Sequence, residues 1–248
     1  MSVATEVDLR EVAERGAAEL GPDASAAEVL AWAAATFGSR MIVASNMQDA
    51  VLVDLAAKAV SHARACKQPG GPGVEKLEIL FLETGYHFAE TIGTRDAVEH
   101  VYDVSIVNAA ARRTVAEQDA EFGKDLFARD PNSCCAMRKV EPLQRTLAGY
   151  DAWVTGVRRV EAPTRANTPL VSYDEKFGLV KINPIAAWSD KEMDAYIVEH
   201  NVLVNPLVAE GYPSIGCAPC TAKPAPGADP RSGRWAGTGK IECGLHVQ

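Results

Sequence analysis

The sequence predicts an α/β fold with a doubly wound, mostly parallel sheet. Short apolar runs of strand length alternate with longer stretches in which apolar residues recur every three or four positions. This alternation is typical of βαβ units, in which helices cover both faces of a parallel sheet. The length of 248 residues suits one large domain of this kind, and a hydrophobic content of 47% is enough for its core.

The first 38 residues are predicted to form a helical N-terminal part. Apolar spacing of three and four runs from residue 5 to residue 37 and is interrupted at Gly21-Pro22. Asp23 or Ser25 is the candidate cap of the second helix, with Glu28 in its first turn.

Five apolar runs are predicted to be strands, and the segments between them are predicted to be helices. The strands are 41–45, 77–82, 104–107, 152–155 and 179–184. The helices are 50–62, 88–100, 109–122 and 189–200, the last opened by a capping box of Ser189 and Glu192. The Gly/Pro-rich stretch 68–73 is predicted to be a surface loop.

The last part of the chain is predicted to be a tail. Periodicity is lost from Tyr212 onward, and prolines and glycines then become frequent. We therefore predict one α/β domain over residues 1–226 and a flexible tail over residues 227–248.

The composition excludes some classes of protein. Lys plus Arg is 25 and Asp plus Glu is 33, giving a formal charge of −8, which is unfavourable for general nucleic-acid binding. No apolar run approaches the roughly 18 residues of a membrane span, and the N-terminal residues do not resemble a signal peptide. The expectation is a cytoplasmic protein whose six cysteines are ligands or nucleophiles rather than disulfides.

Ligands of doubly wound sheets bind at the carboxyl ends of strands, so three short segments carry the most information. These are Ser45–Asp49, Glu83–Gly85 and Gly156–Arg159. A polar turn between a strand and a helix can bind phosphate through free N–H groups. Side chains that can add hydrogen bonds there belong to Ser45, Asn46, Gln48 and Asp49. The turn lacks glycine, so it is neither a Walker loop nor a GxGxxG turn.

Two pairs of cysteines predict a metal site. Cys134-Cys135 and the CxxC pair Cys217 and Cys220 together supply four thiolates, which suits either zinc or an iron–sulfur cluster. Adjacent side chains diverge, so an alternative is that one of Cys134 and Cys135 is simply a small core residue. Lys139 lies four residues after Cys135, on the same helical face, where its charge would offset that of the thiolates.

Cys243 is the candidate nucleophile. A thiolate attacks best when nearby cations lower its pKa, and His246 is the nearest candidate for that role. The alternative is an unstructured thiol on the tail. Cys66 is predicted to be an ordinary helix residue.

Four arginines are candidate anion clamps, because the planar guanidinium donates two hydrogen bonds at once. They are Arg158, Arg159, Arg231 and Arg234. For any one of them a solvated surface charge is the alternative.

Several stretches together carry a resemblance to a known family. These are DPNSCCAMRKVEPL at 130–143, GVRR at 156–159, CAPC at 217–220 and ECGLH at 242–246. In these stretches the chain resembles the assimilatory adenylyl-sulfate reductases, within the phosphoadenylyl-sulfate reductase superfamily. The resemblance runs from about Ser45 to the C-terminus.

The resemblance implies the fold of the adenine-nucleotide α-hydrolases, also called the PP-loop fold. It implies one 4Fe–4S cluster bound by Cys134, Cys135, Cys217 and Cys220. The cluster would not carry electrons; with Lys139 it would position and polarise the sulfate.

The reaction implied is reduction of adenylyl sulfate to sulfite and AMP. Cys243 would attack the sulfur and form an S-sulfocysteine, which thioredoxin, a separate protein, would then reduce. Bound anionic oxygens would be neutralised by Lys139, Arg158, Arg231, Arg234 and His246. The nucleotide would lie at the 45–49 turn and at Glu83-Thr84-Gly85.

Two departures from the family pattern concern the nucleotide. The family turn usually has a small residue or glycine after the serine, where this chain has Asn46-Met47. Family members commonly have Asp-Thr-Gly where this chain has Glu83-Thr84-Gly85.

Three alternatives are kept. One is reduction of the 3′-phosphorylated substrate, phosphoadenylyl sulfate. A second is a zinc-stabilised, ATP-dependent enzyme of the PP-loop fold, which would not need Cys243. A third is a non-catalytic iron–sulfur sensor or electron carrier. Neither nucleic acid nor membrane is an expected partner, and a homo-oligomer is allowed.

Overall fold

The computed structural model describes residues 7–65 and 76–236, together with residues 240 and 245. Six strands form one sheet in the order β3-β2-β1-β4-β6-β5. The strands are β1 (Met41–Ala44), β2 (Leu77–Phe81), β3 (Val104–Asn108), β4 (Ala152–Val154), β5 (Val171–Asp174) and β6 (Leu179–Ile182). The predicted loop at 68–73 and Cys66 lie outside the described residues.

Ten α-helices surround this sheet in the described part of the chain. They are α1 (Leu9–Leu20), α2 (Ala26–Phe37), α3 (Val51–Ala65), α4 (Ala89–Val101), α5 (Val115–Phe122), α6 (Leu126–Arg129), α7 (Pro131–Cys135), α8 (Glu141–Leu147), α9 (Asp190–His200) and α10 (Pro206–Ala209). Every helix in these ranges is too short or too polar to cross a lipid bilayer.

The sheet is parallel except at one edge, which confirms the predicted fold class. Strand β1 pairs in parallel with both β2 and β4, and Val43 lies opposite Ile79 on one side and Val154 on the other. The chain therefore runs outward through β2 and β3 and then returns to the other side of β1. This change of direction places a crevice at the carboxyl ends of β1 and β4. Only β5 runs antiparallel, against β6.

Apolar side chains fill both faces of the sheet. A larger cluster, which includes Val43, Ile79 and Val154, lies between one face and the N-terminal helices. A smaller cluster on the other face includes Trp153 and packs against Leu143 of α8. Because strands buried on both faces need apolar residues at nearly every position, their sequences are continuous apolar runs.

The N-terminal part has the predicted two helices. Ser25 caps α2 in a capping box with Glu28, and Asp23 is not the cap. The helices pack closely at Gly16, where an added Cβ atom would lie 2.1 Å from the Trp32 ring.

One predicted helix is wrong at its beginning. We predicted a helix over 109–122, whereas α5 begins at Val115, after a capping box of Thr114 and Glu117. Ala109 instead continues the edge of the sheet: its N–H donates to the Phe81 carbonyl, and its own carbonyl accepts from Glu83. Those two bonds hold the chain extended, and Thr114 then supplies the first helix cap.

The helical stretch that carries Cys134 and Cys135 consists of three consecutive segments. Asp130 caps α7, accepting a hydrogen bond from the Ser133 N–H at 3.0 Å, and Pro131 occupies the first turn. A π-helical segment, Ala136–Val140, then joins α7 to α8. Such wide turns are rare and are frequent at functional sites.

Candidate active site

Four cysteines line one cavity. Cys134 and Cys135 lie at the end of α7, and Cys217 and Cys220 lie at either end of a short turn that includes the 3₁₀ segment Ala218–Cys220. The cavity holds about 300 Å³ of space not filled by protein atoms, part of it open to solvent. Its remaining lining residues are Tyr86, Phe127, Pro131, Arg138 and Lys139. The two pairs meet in space, as a shared ligand role requires, and that role stays a prediction.

Both adjacent cysteines line the cavity, although successive side chains on a helix diverge. The cavity meets the helix along positions 131, 134, 135, 138 and 139, which form one helical stripe. Such a stripe is wide enough to hold two neighbouring residues at its two edges. The same stripe brings Lys139 to the cavity with Cys135, as the spacing of four predicts, and it also brings Arg138.

The cysteine loop, residues 215–221, rests on the segment that follows β2. The Cys217 thiol donates to the Thr84 hydroxyl at 3.4 Å, and the Ala218 N–H donates to the Tyr86 carbonyl at 2.7 Å. Inside the loop, the Thr221 hydroxyl accepts from Gly216 N–H at 3.2 Å and donates to the Cys217 carbonyl at 2.9 Å. Two segments that are distant in sequence are therefore held in one site.

Burial and the neighbouring thiols raise the pKa of Cys134 and of Cys220. The pKa of Cys134 rises to about 12, first because the group is buried and then because thiolates at Cys135, Cys217 and Cys220 would repel its charge. Burial and the neighbouring Cys217 also raise the pKa of Cys220, against the opposing effect of Lys139. A bound cationic centre would release these protons, since soft metals bind cysteine as thiolate.

The donor set consists of thiols, which suits either a single zinc ion or an iron–sulfur cluster. Within residues 7–65 and 76–236, no three His, Cys, Asp or Glu side chains lie close enough together to hold one metal ion. A tetrahedral zinc draws its sulfurs to about 2.3 Å from the ion, so they lie close to one another. An iron–sulfur cluster takes the same four thiolates at wider separations.

Three cations surround the indole ring of Trp235, next to this cavity. The Arg234 guanidinium carbon lies 4.7 Å from the ring centroid, Lys240 Nζ 5.8 Å and Lys139 Nζ 6.0 Å. The main-chain N–H of Trp235 donates to the Cys220 carbonyl at 3.0 Å, which fixes the backbone of Trp235 beside the cysteine loop. The cavity wall is therefore positively charged in a chain that is acidic overall.

The segment that carries these cations packs against the rest of the protein. Ala222 N–H donates to the Gly233 carbonyl at 2.9 Å, and Trp235 is only 4% exposed. Within the stretch predicted to be a flexible tail, residues 233–235 are bonded to the cysteine loop and its neighbours, whereas residues 227–230 are exposed. The division of the chain at residue 226 stays a prediction. Arg231 lies in the turn that precedes Gly233, where its main-chain N–H donates to Asp229 Oδ1 at 2.7 Å.

Hydrogen bonds within the 45–49 turn order its polar side chains. Met47 N–H donates to Ser45 Oγ at 3.2 Å, and Gln48 N–H donates to Asn46 Oδ1 at 3.2 Å. Asp49 Oδ1 accepts from Val51 N–H at 3.1 Å and so caps α3. Burial is the main cause that raises the pKa of the Asp49 carboxyl. The start of α3 is thus occupied by a side chain of the turn itself.

At the end of β2, Glu83 accepts from Gly85 N–H at 2.9 Å and pairs with Arg95 at 3.3 Å. Gly85 has a φ of +73°, and a Cβ there would lie 2.9 Å from Val115, so the position requires glycine. Thr84, between them, is buried and faces Cys217.

At the end of β4, Arg158 is already ion-paired. Its guanidinium donates to Asp190 at 2.8 Å and lies 3.6 Å from Glu161. Arg159 donates to the Thr168 carbonyl at 2.9 Å. An anion at Arg158 would compete with these two carboxylates, so its substrate role stays a prediction.

The two catalytic candidates of the C-terminal motif, Cys243 and His246, lie outside the described residues. Leu245 is described, and it packs against the smaller core cluster that contains Trp153.

Some cavity residues were not singled out from the sequence. The spacing of four that selects Lys139 from Cys135 also selects Arg138 from Cys134, so that signal was available. Tyr86, Phe127 and Trp235 carried no such signal, because their approach depends on tertiary packing.

Comparisons with known proteins agree with this geometry. The sequence profile of the phosphoadenosine phosphosulfate reductase domain matches residues 39–223. The chain is 66% identical to the adenosine 5′-phosphosulfate reductase of Rhodococcus opacus, over 100% of this chain and 98% of the relative. It is 66% identical to the protein of that name from Mycolicibacterium smegmatis, with the same coverage.

Solved structures show the same fold. The phosphoadenylyl-sulfate reductase of Candida auris superposes with a TM-score of 0.67 at 24% identity, covering 90% of this chain and 99% of the other. An FMN adenylyltransferase of Candida glabrata superposes with a TM-score of 0.58 at 14% identity, covering 87% and 75%. These likenesses concern the fold alone.

Proposed function

Since this chain belongs to the phosphoadenosine phosphosulfate reductase family, we propose that it reduces adenylyl sulfate to sulfite and AMP. The relatives that match its whole length at 60–66% identity carry the name adenosine 5′-phosphosulfate reductase, which favours the substrate without a 3′-phosphate. The observation that carries the proposal is the convergence of Cys134, Cys135, Cys217 and Cys220 on one positively walled cavity.

One 4Fe–4S cluster is the cofactor that we propose for these four cysteines. The donor set consists of thiols only, which suits a soft iron–sulfur centre. When bound, the cluster supplies a charged wall that helps polarise the sulfate, without carrying the electrons of the reaction. Lys139 and the arginine of the docked segment, Arg234, compensate its negative charge.

Cys243 is proposed as the nucleophile. Its thiolate attacks the sulfur of adenylyl sulfate, the bond from sulfur to the bridging oxygen breaks, and AMP leaves with the electron pair. The product on the enzyme is an S-sulfocysteine. His246, three residues later, is proposed to assist this step.

The chain's own cations are proposed to make this attack feasible. A thiolate and a sulfate repel each other, so positive groups must neutralise the sulfate oxygens as the new bond forms. Lys139, Arg231 and Arg234 are the best supported, since they lie on the cavity wall or on the segment docked beside it. Arg158 would have to exchange Asp190 or Glu161 for the substrate.

AMP is proposed to bind at the crevice between β1 and β4. The 45–49 turn and Glu83-Thr84-Gly85 border it, and Thr84 touches Cys217, so the nucleotide and cysteine sites are neighbours.

The reductant is proposed to be thioredoxin, acting as a separate protein. One of its thiolates attacks the Cys243 sulfur and releases sulfite; its second thiol then resolves the mixed disulfide. The dithiol supplies both electrons. A cytoplasmic location suits this reductant, and no nucleic acid is required.

The decisive experiment is mass spectrometry of the iron-loaded protein after incubation with adenylyl sulfate and no reductant. A sulfonate adduct on the Cys243 peptide, absent in Cys243→Ser, is the expected result. An adduct on another cysteine, or none, contradicts the proposal. A parallel incubation with phosphoadenylyl sulfate separates the two substrates, because a comparable adduct yield would remove the preference for adenylyl sulfate.

A further inference from the structure

Met47 lies at the centre of the 45–49 turn in a backbone conformation that favours glycine. Its φ is +59°, and its side chain is fully buried. A bulky residue in the left-handed region costs about 1–2 kcal/mol, so neighbouring contacts must hold it there.

Asn205 provides those contacts. It is fully buried at the cap of α10, and its side-chain amide donates to the Met47 carbonyl at 3.0 Å and to the Thr91 hydroxyl at 3.1 Å. Its main-chain N–H donates to the Gln48 carbonyl at 2.9 Å. Directly after the turn, the Ala50 N–H donates to the Leu203 carbonyl at 2.9 Å. The main chain of the turn is therefore fixed from outside the crevice.

With its main chain fixed, Gln48 reaches the cysteine loop. Its side-chain oxygen accepts from the Ile215 N–H at 3.0 Å. Ile215 is 1% exposed, so this N–H depends on a protein acceptor. The Ile215 carbonyl accepts from the Arg234 guanidinium at 3.0 Å. A continuous set of bonds thus runs from the turn to Arg234 through Ile215, which lies two residues before Cys217.

We propose that Gln48 is a positioning residue, which sets the distance between the nucleotide turn and the cysteine loop with Arg234, and not a ligand contact. The inference rests on the proposed function in one respect: the phosphate and sulfate of adenylyl sulfate share one oxygen. Groups that bind the two halves must therefore keep a fixed separation, and small displacements lower the rate steeply.

The chemistry of two isosteric variants distinguishes these roles. Gln48→Glu keeps an oxygen acceptor for Ile215 N–H but brings a negative charge to the turn. Gln48→Leu keeps the shape but removes the acceptor. A positioning residue tolerates the first change better, and a phosphate contact tolerates the second better.

The test measures amide hydrogen exchange across 213–221, AMP affinity by calorimetry and sulfite release, all on iron-loaded full-length protein. In Gln48→Leu we expect faster exchange at Ile215, AMP affinity within about threefold of the wild type and sulfite release lowered by up to about 10²-fold. In Gln48→Glu, which keeps an oxygen acceptor for the Ile215 N–H, we expect the exchange at Ile215 to stay near the wild-type rate.

Either of two results overturns the inference: unchanged Ile215 exchange in Gln48→Leu, or an AMP affinity that falls at least about tenfold in Gln48→Glu alone. If Gln48→Leu does not fold, the Gln48→Glu arm still decides between the roles. Failure of the proposed function is a separate result. A wild-type protein that releases no sulfite refutes that function, while the exchange comparison still tests Gln48.

Discussion

The thiol of Cys217 lies 3.4 Å from the hydroxyl of Thr84, so the cysteine loop contacts the residue that follows the end of β2. The same hydroxyl accepts from the Tyr86 N–H at 3.3 Å and lies 3.4 Å from His87 Nε2. The buried Thr84 hydroxyl therefore links the segment after β2, which borders the crevice, to the cavity lined by cysteines.

Replacing this oxygen is expected to destabilise the protein. Thr84→Val keeps the shape but leaves the Tyr86 N–H without its acceptor, at a cost of about 1–2 kcal/mol. Urea denaturation should show a lower midpoint with an unchanged slope. The matched control is Thr94→Val, since the buried Thr94 hydroxyl donates to the Glu90 carbonyl of its own helix at 2.8 Å. Equal losses in both variants would mean that the Thr84 hydroxyl has no special role.

Each of the four cavity cysteines is expected to be necessary for the cofactor. Cys220→Ser should fold but lose most of its bound iron and sulfide, because serine is a poor ligand for this soft centre. Iron and sulfide analysis with visible absorbance measures the effect, and Cys66→Ser is the control that should keep both. A colourless wild-type protein that holds one zinc ion would show that the cluster assignment is wrong.

Lys139 is expected to act on the sulfate more than on the nucleotide. Lys139→Met keeps an unbranched chain beside Trp235 and removes the charge, so sulfite formation should fall by about 10²-fold while AMP affinity changes little. Single-turnover kinetics and calorimetry measure the two quantities. Lys176→Met, which alters an exposed lysine in the turn between β5 and β6, is the control. Equal losses of rate and AMP affinity would make Lys139 a simple phosphate contact.

Ionisation of the buried Asp49 carboxyl is expected to lower the free energy of unfolding as pH rises. Burial raises the pKa of its carboxyl, so the folded state binds the proton more tightly than the unfolded state does. The stability that this proton provides is present at acid pH and is lost as pH rises through the folded pKa. Asp49→Asn keeps the acceptor for Val51 N–H without the charge. The free energy of unfolding of Asp49→Asn, measured by urea denaturation, should therefore exceed that of the wild type by an amount that grows from pH 4 to pH 7. A constant difference would contradict the raised pKa of Asp49.

Much of the fold followed from local patterns. Short apolar runs located five of the six strands, and four of these, β2, β1, β4 and β6, lie inside the sheet, where strands are buried on both faces. Strand β5 was not predicted. Its four residues, Val171-Ser-Tyr-Asp174, mix apolar and polar side chains, since the strand lies at the sheet edge and pairs only with β6.

The sequence indicated which residues belong to the candidate site better than it indicated which of them contact one another. Four cysteines and Lys139 could be selected because their chemistry and spacing are local properties of the sequence. The bond from Gln48 to Ile215 joins positions distant in the chain, and no local pattern encodes it. For Arg158, the position at a strand end was predicted from the sequence, but the ion pairs with Glu161 and Asp190 were not.

The division of the cysteines between α7 and a loop after α10 has a consequence for biosynthesis. When Cys134 and Cys135 emerge from the ribosome, strands β4, β5 and β6 are still to be made, and the second pair follows them. A centre that needs all four sulfurs can be delivered only after Cys220 has been synthesised, and by then all six strands of the sheet have been made. Iron supply would then limit the fraction of molecules that mature, and the yield of polypeptide would be set separately.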